Sequence, residues 1–111
     1  MEFSTSLKEN FEFRRLYSKG KSAAGPYLVL YVRRRQRPVN RVGITVSAKL
    51  ANAVKRNRVR RRLREIYRLN EQSFVRGLDL VIVVRGRGVE APYRVLEKET
   101  LSLAKRLEAL Q

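Results

Sequence analysis

The segment at residues 53–68, AVKRNRVRRRLREIYR, constrains the fold more than any other stretch of the chain. Seven of the ten side chains from Lys55 to Arg64 are cationic, and no acid follows until Glu65. Such a run is either a solvated tail or one face of an element whose other face is buried. At about 100° per residue, Val59, Leu63, Ile66 and Tyr67 fall on one stripe, the pattern of a core-facing helix. Asn57, Arg61, Arg64 and Arg68 stack on the opposite side, flanked by Arg58 and Arg60. The spacing therefore predicts an amphipathic helix from about Asn52 to Glu71 that presents a ridge of guanidinium groups. Val54 falls on the basic side and is expected to pack against the preceding loop, while Leu50 is expected to precede the helix.

The flanking sequence supplies what the apolar stripe packs against. Ser6 is a candidate cap for a first helix running from Leu7 to about Ser18, ended by Gly20. On it Phe13, Leu16 and Tyr17, three and four residues apart, share one face; Phe11 points elsewhere and is expected near Leu7 and Phe3. After the Gly25-Pro26 break, YLVLYVRRR reads as a strand. Alternation sets Tyr27, Val29, Tyr31 and Arg33 on one face and Leu28, Leu30 and Val32 on the other. A basic turn around Pro38 leads into RVGITVS, a second strand with Val42, Ile44 and Val46 on one face and Gly43, Thr45 and Ser47 on the other. LDLVIVVRG (78–86) is continuously apolar, as in a strand covered on both faces. Ala91-Pro92 opens a last helix to about Leu110, with Val95, Leu96, Leu103 and Leu107 as its core contacts. The order of elements is that of an α+β sandwich, helices packed on a short sheet. With 111 residues, the whole chain, 1–111, is expected to form one domain.

Charge narrows the partner. Lys and Arg number 26 against 10 acids, a net charge of +16, and Arg outnumbers Lys by 19 to 7. A domain so charged repels itself and calls for a polyanion. Arg adds planar, bidentate contact with phosphate and stacking on bases. A thermophile's charged surface would balance Lys against Glu, which this chain does not do. There is no apolar run long enough to cross a bilayer, and MEFSTSLKEN, with Glu2 and no apolar core, does not read as a secretory signal. A domain without disulfides suits the cytoplasm, the expected location.

Chemistry of the chain's own is hard to assemble. The sequence has no Cys and no His, which removes thiol and imidazole nucleophiles and the commonest zinc ligands. Asp79 lies inside the buried strand, and Glu9 with Glu12, and Glu97 with Glu99, read as solvated helix faces rather than metal sites. The chain alone is expected to be catalytically inert, with no catalytic or metal-binding side chains. The basic run reads instead as a phosphate-binding surface: like charges at i,i+4 destabilise the free helix, and phosphates relieve that repulsion while releasing counterions. Asn57 can both donate and accept, to a phosphate, a ribose hydroxyl or a base edge. A duplex-DNA reading would put this helix in a major groove, but the helices around it are not joined by the short turn of a helix-turn-helix. Binding to a membrane surface is a further option, against which Arg61, Arg64 and Arg68 leave the exposed face without an apolar stripe. Phe13 and Tyr17 on the first helix, and Tyr27 and Tyr31 on the strand, would line a groove for unpaired bases if helix and strand are neighbours, each stack contributing about 1 to 3 kcal/mol. The alternative is that these rings are core residues.

NFEFRRLYSKGKS, YLVLYV, RVGITVSAKL and above all ANAVKRNRVRRRLREIYR resemble the protein subunit of bacterial ribonuclease P. The triplet Arg56-Asn57-Arg58, in its setting A-V-x-R-N-R-x-x-R-x-x-R-E, matches that family's signature, and the resemblance runs in order from residue 8 to about 85. The last helix fits by position alone. The resemblance implies a small basic cofactor of a ribozyme, part of an endoribonuclease holoenzyme that removes the 5′ leader from precursor tRNA. The RNA subunit, with its magnesium ions, carries out the hydrolysis, and no obligate protein partner is implied. It also implies an α-β-β-β-α-β-α sandwich with a left-handed βαβ crossover, ribosomal protein S5 domain 2-like, against the usual right-handed rule. A short strand over Lys21–Ala24, not visible from the residues alone, belongs to that scheme.

The family's RNA-facing helix positions fall on Arg56, Asn57, Arg58, Arg60, Arg61 and Arg64. Lys55 belongs to the same run, and Arg68 extends the ridge by one turn on helical geometry. The family's leader-binding cleft, between the first helix and the sheet, falls on Phe13, Tyr17, Val29 and Tyr31, with Ser47 and Lys49 near its end. Ala48 departs from the lysine that many relatives carry there. The competing reading is a general RNA-binding or ribosomal-type protein with no processing role.

Overall fold

The computed structural model describes residues 1–7 and 9–111. Among these the chain forms β1 (Ser4–Ser6), α1 (Asn10–Lys19), β2 (Lys21–Ala24), β3 (Leu28–Arg34), β4 (Asn40–Val46), α2 (Ala53–Asn70), β5 (Leu78–Val84) and α3 (Tyr93–Arg106), with 3-10 turns at Glu71–Ser73 and Gly86–Gly88. The five strands make one sheet in the order β1-β4-β5-β3-β2. β4 and β5 run parallel with α2 as the crossover between them, and β3 lies antiparallel on the other side of β5. Alternation along these strands sorts the sheet into two faces.

The first face carries Leu28, Leu30 and Val32 of β3, Val42 and Val46 of β4, and Leu80, Ile82 and Val84 of β5, all buried. α2 and α3 cover it. Val59, Leu63, Ile66 and Tyr67 of α2 are 1 % exposed or less, as the stripe requires, and Leu96, Thr100, Leu103 and Ala104 of α3 join the same core. α2 starts where Asn52 Oδ1 accepts the Lys55 amide at 2.9 Å, a side-chain cap for an otherwise orphaned donor. The second face carries Arg41, Gly43, Thr45, Asp79, Val81 and Val83, and α1 lies across it. Its core is smaller: Leu7, Leu16 and Val81, with Phe13, Tyr31 and Val83 packed against them.

Several expectations change. Ser6 does not cap α1; it pairs with Val42 in β1, a strand that precedes the expected first helix. The helix starts at Asn10, where the Glu12 carboxylate accepts the Glu9 amide at 3.3 Å, and Lys8, inside the predicted helix, lies outside the described residues. β1 is held from a distance. Glu71, buried, accepts the amides of Glu2 (2.7 Å) and Phe3 (3.2 Å), while the Tyr67 hydroxyl meets Ser4 Oγ at 2.7 Å and accepts from Asn40 Nδ2 at 3.1 Å. Burial opposes charge on Glu71, but the Ser4 hydroxyl, the two amides and the N-terminal ammonium outweigh it and hold the carboxyl below its ordinary range. Burial pushes the Tyr67 phenol up.

Phe11 is not with Leu7 and Phe3 but 54 % exposed, and Val54 is 66 % exposed rather than packed on a loop. Tyr27 precedes β3 and packs toward α3, with the Arg87 guanidinium 5.2 Å from its ring centre. The paired glutamates are not simply solvated. Glu99 Oε2 accepts the Tyr27 and Leu28 amides at 2.7 and 2.6 Å, Glu97 accepts from Asn70 at 3.2 Å, and Glu12 pairs with Arg41.

Candidate nucleic-acid interfaces

The outer face of α2 is the first candidate surface. Asn57, Arg58, Arg61, Arg64 and Arg68 are exposed along it, spanning about 16 Å at 1.5 Å per residue. The cations are not equivalent. Lys55 Nζ lies 3.2 Å from Glu90, and Arg68 is gripped by Glu65, whose carboxyl that bond holds below its ordinary value. Arg56 donates to the Ala51 carbonyl at 2.8 Å, and Arg60 donates to Asn57 Oδ1 at 2.9 Å. Arg58, Arg61 and Arg64 have no acidic or hydrogen-bonding partner among the described residues. They are the part of the ridge most ready to take phosphate, while Asn57 is already oriented by Arg60. Arg62, which the periodicity left unassigned, turns inward and donates to the Ala91 carbonyl at 3.2 Å.

The second candidate surface lies between α1 and the sheet. Helix and strand are neighbours: the Tyr17 and Tyr31 rings meet edge-on at 4.8 Å and 70°, and Phe13 lies 6.5 Å from Tyr17. Phe13 and Tyr31 are half-buried and Tyr17 is 40 % exposed, so the rings are neither wholly core nor wholly free. Gly43 makes room for this arrangement, because a Cβ there would stand 2.7 Å from the Phe13 ring. Asn10, Arg14 and Thr45 line the same cleft. Asn10, Arg14 and Tyr17 recur at helical spacing with Phe13, so Arg14 was legible as the cleft's cation. Val29 is half-buried opposite Val83 on this face, while Ser47 and Lys49 lie exposed in the turn before α2, where Ser47 Oγ accepts the Lys49 amide at 3.2 Å. Tyr27 does not join this groove.

The two surfaces meet at the β1 edge, where Arg64 of α2 and Phe13 of α1 line one cleft with Leu7, Gly43 and Ile44. Among the described residues no three acidic side chains cluster as a metal site would need, and no helix is long and apolar enough to cross a membrane.

The sequence and fold match known proteins. The family model described as Ribonuclease P matches residues 1–108. The chain is 42 % identical over 106 residues to the ribonuclease P protein component of Natranaerobius thermophilus, covering 96 % of this chain and 92 % of that one. It is 39 % identical over 111 residues to that of Clostridioides difficile, with 97 % of each chain covered. Among solved structures it is similar to the RNase P protein of Staphylococcus aureus, at a TM-score of 0.87 and 27 % identity over 96 % of this chain and 97 % of that one. It is likewise similar to that of Thermotoga maritima, at 0.85 and 29 % over 94 % and 98 %. A basic helix crossing between parallel strands, an aromatic cleft on the opposite sheet face, and this agreement along nearly the whole sequence lead to one conclusion: the chain belongs to the ribonuclease P protein family, the protein component of an endoribonuclease that processes tRNA.

Proposed function

We propose that this chain acts as the protein cofactor of a ribonuclease P ribonucleoprotein that removes the 5′ leader from precursor tRNA. The α2 ridge binds the catalytic RNA, and the cleft of Phe13, Tyr17, Val29 and Tyr31, with Ser47 and Lys49 near its end, holds the single-stranded leader. The observation that carries this reading is the split between two unlike surfaces. One is a row of unpartnered guanidinium groups on a helix fixed by the core; the other is a set of half-exposed rings over a sheet. The first suits closely spaced phosphates, whose counterions it displaces. The second suits unpaired bases, which stack on aromatic faces without regard to identity. A ribosomal-type RNA binder has no use for the second.

In this reading hydrolysis belongs to the RNA subunit, whose magnesium ions would supply the chemistry. This chain's part is to neutralise crowded phosphates and to position the substrate. Three of its acids are engaged in the fold: Asp79 holds Arg41, Glu71 holds β1 and Glu99 holds the start of β3. The working place is the cytoplasm, as one domain with no obligate protein partner.

Cleavage of a precursor tRNA at low magnesium, by the matching ribonuclease P RNA with and without this chain, tests the proposal. A clear rise in rate with the chain, and no cleavage by the chain alone, is the expected result. Salt-sensitive RNA binding without any rise in rate would overturn it.

A further inference from the structure

The aromatic cleft opens on one side of α1. A second cleft opens on the other, between α1 and the start of the β3–β4 turn. Its floor is a fixed ion cluster: Arg41 donates two hydrogen bonds of 2.9 Å to Asp79 and also pairs with Glu12, and Arg35 lies 3.5 Å from Asp79. Above that floor Arg15, Arg33 and Arg37 project into the cleft, and none of them has an acidic partner among the described residues. Five guanidinium groups against two carboxylates leave the cleft with an excess of three positive charges. Phe11 stands at its lip, 54 % exposed, with the Arg15 guanidinium 6.0 Å from its ring centre. An exposed ring beside unpaired guanidinium groups is the combination that binds a strand with free bases, the cations tracking the backbone and the ring taking a base.

We propose that this cleft is a second subsite for single-stranded RNA, with Arg33 and Arg37 on the phosphates and Phe11 under a base. Arg33 shares a sheet face with Tyr31 but lies on the far side of α1, so one strand reaches both clefts only by crossing a helix about 10 Å thick. A short oligonucleotide therefore occupies the aromatic cleft alone, and a longer one gains the arginine cleft. The inference rests on the chain's being an RNA-binding protein. Its test uses no ribozyme, so it fails separately from the role in tRNA processing.

The test is anisotropy titration of the full chain with unstructured, labelled RNAs of four and twelve nucleotides. Phe11→Ala is expected to weaken the twelve-nucleotide complex about tenfold, with Phe11→Trp restoring it, and to leave the four-nucleotide complex unchanged; Tyr17→Ala weakens both. The double variant Arg33→Gln/Arg37→Gln lowers the salt slope of the longer RNA by about 1.4, or 0.7 per phosphate released. Arg37→Gln alone, at an exposed position, gives half that change if the double variant does not fold. Unchanged twelve-nucleotide binding by Phe11→Ala would overturn the proposal. So would an equal loss by the double variant on duplex RNA and on the single strand, which would mark the cluster as general basic surface.

Discussion

α1 and α2 are both amphipathic, both basic on the outside, and lie on opposite faces of one sheet, yet they are fixed in different ways. α2 drives four side chains into the main core, each almost fully excluded from water. Arg58, Arg61 and Arg64 on its outer face are then free of any duty in holding the helix. α1 buries only Leu16 completely, shares its remaining contact with half-exposed rings, and relies on the Arg41 ion cluster for the rest. A helix that gives its regular apolar stripe to the core presents mostly charge outward, as α2 does apart from Val54 and Leu69. One that gives part of that stripe can keep aromatic surface for a ligand. Each surface's chemistry thus follows from how much of its helix the core consumes.

The comparison breaks most visibly through the core. Leu63→Ala should cost about 2–5 kcal/mol and lower the melting temperature of the whole chain, measured by thermal denaturation; a loss confined to α2 would contradict its place in the main core. At the ridge, if it binds the ribonuclease P RNA as proposed, Arg58→Ala with Arg61→Ala removes two charge-assisted contacts, and affinity for that RNA should fall by about 3 kcal/mol. Leader affinity, read as the difference between precursor and mature tRNA binding to the holoenzyme, should stay put. Tyr31→Ala should reverse the pattern, costing the leader about 2 kcal/mol and the catalytic RNA little. Equal effects of both changes in both assays would end the division of labour. Gly43→Ala sharpens it, since the new methyl group displaces Phe13 without touching α2.

The smallest effect is on acid stability. Glu71 has its folded value depressed, so the stability it contributes is present above its unfolded value, about 4.3, and is lost as pH falls through the folded value. Glu71→Gln should cost about 1 kcal/mol at neutral pH and flatten the decline below about pH 4.3, followed by urea denaturation across pH. An unchanged acid limb would mean that β1 is held without that charge.

Elements that bury a regular stripe were legible in the sequence. The 3.6-residue period of α2 and the two-residue alternation of β3 and β4 are local patterns, and both reproduce the observed faces. β1 was not legible because Ser4-Thr5-Ser6 has no pattern of its own. Its structure comes from pairing with β4 and from Tyr67, whose hydroxyl meets Ser4 across 63 residues of sequence, with Glu71 holding the chain just before it. Phe11 was misplaced because composition sends an aromatic inward, whereas the start of α1 at Asn10 turns it to solvent. Tyr27 was misplaced because alternation was extended past the strand's end, where Glu99 takes over the backbone. In the candidate sites, the ridge followed from periodicity. The meeting of Tyr17 with Tyr31 needed tertiary contact that spacing alone does not give, and the inward turn of Arg62 toward Ala91 lay beyond any local signal.

Arg41 offers a different kind of consequence. Its partners Glu12 and Asp79 have side chains only 11 % and 8 % exposed, so added salt reaches this cluster far less than it reaches the open arginines, whose interactions beyond about 8 Å are screened at physiological ionic strength. The spacing between α1 and the sheet therefore behaves as a fixed ruler while the outer charges are screened. Ionic strength becomes a counting device for this protein: a change in slope with salt tallies phosphates gained or lost, because the frame that holds the rings stays the same width throughout.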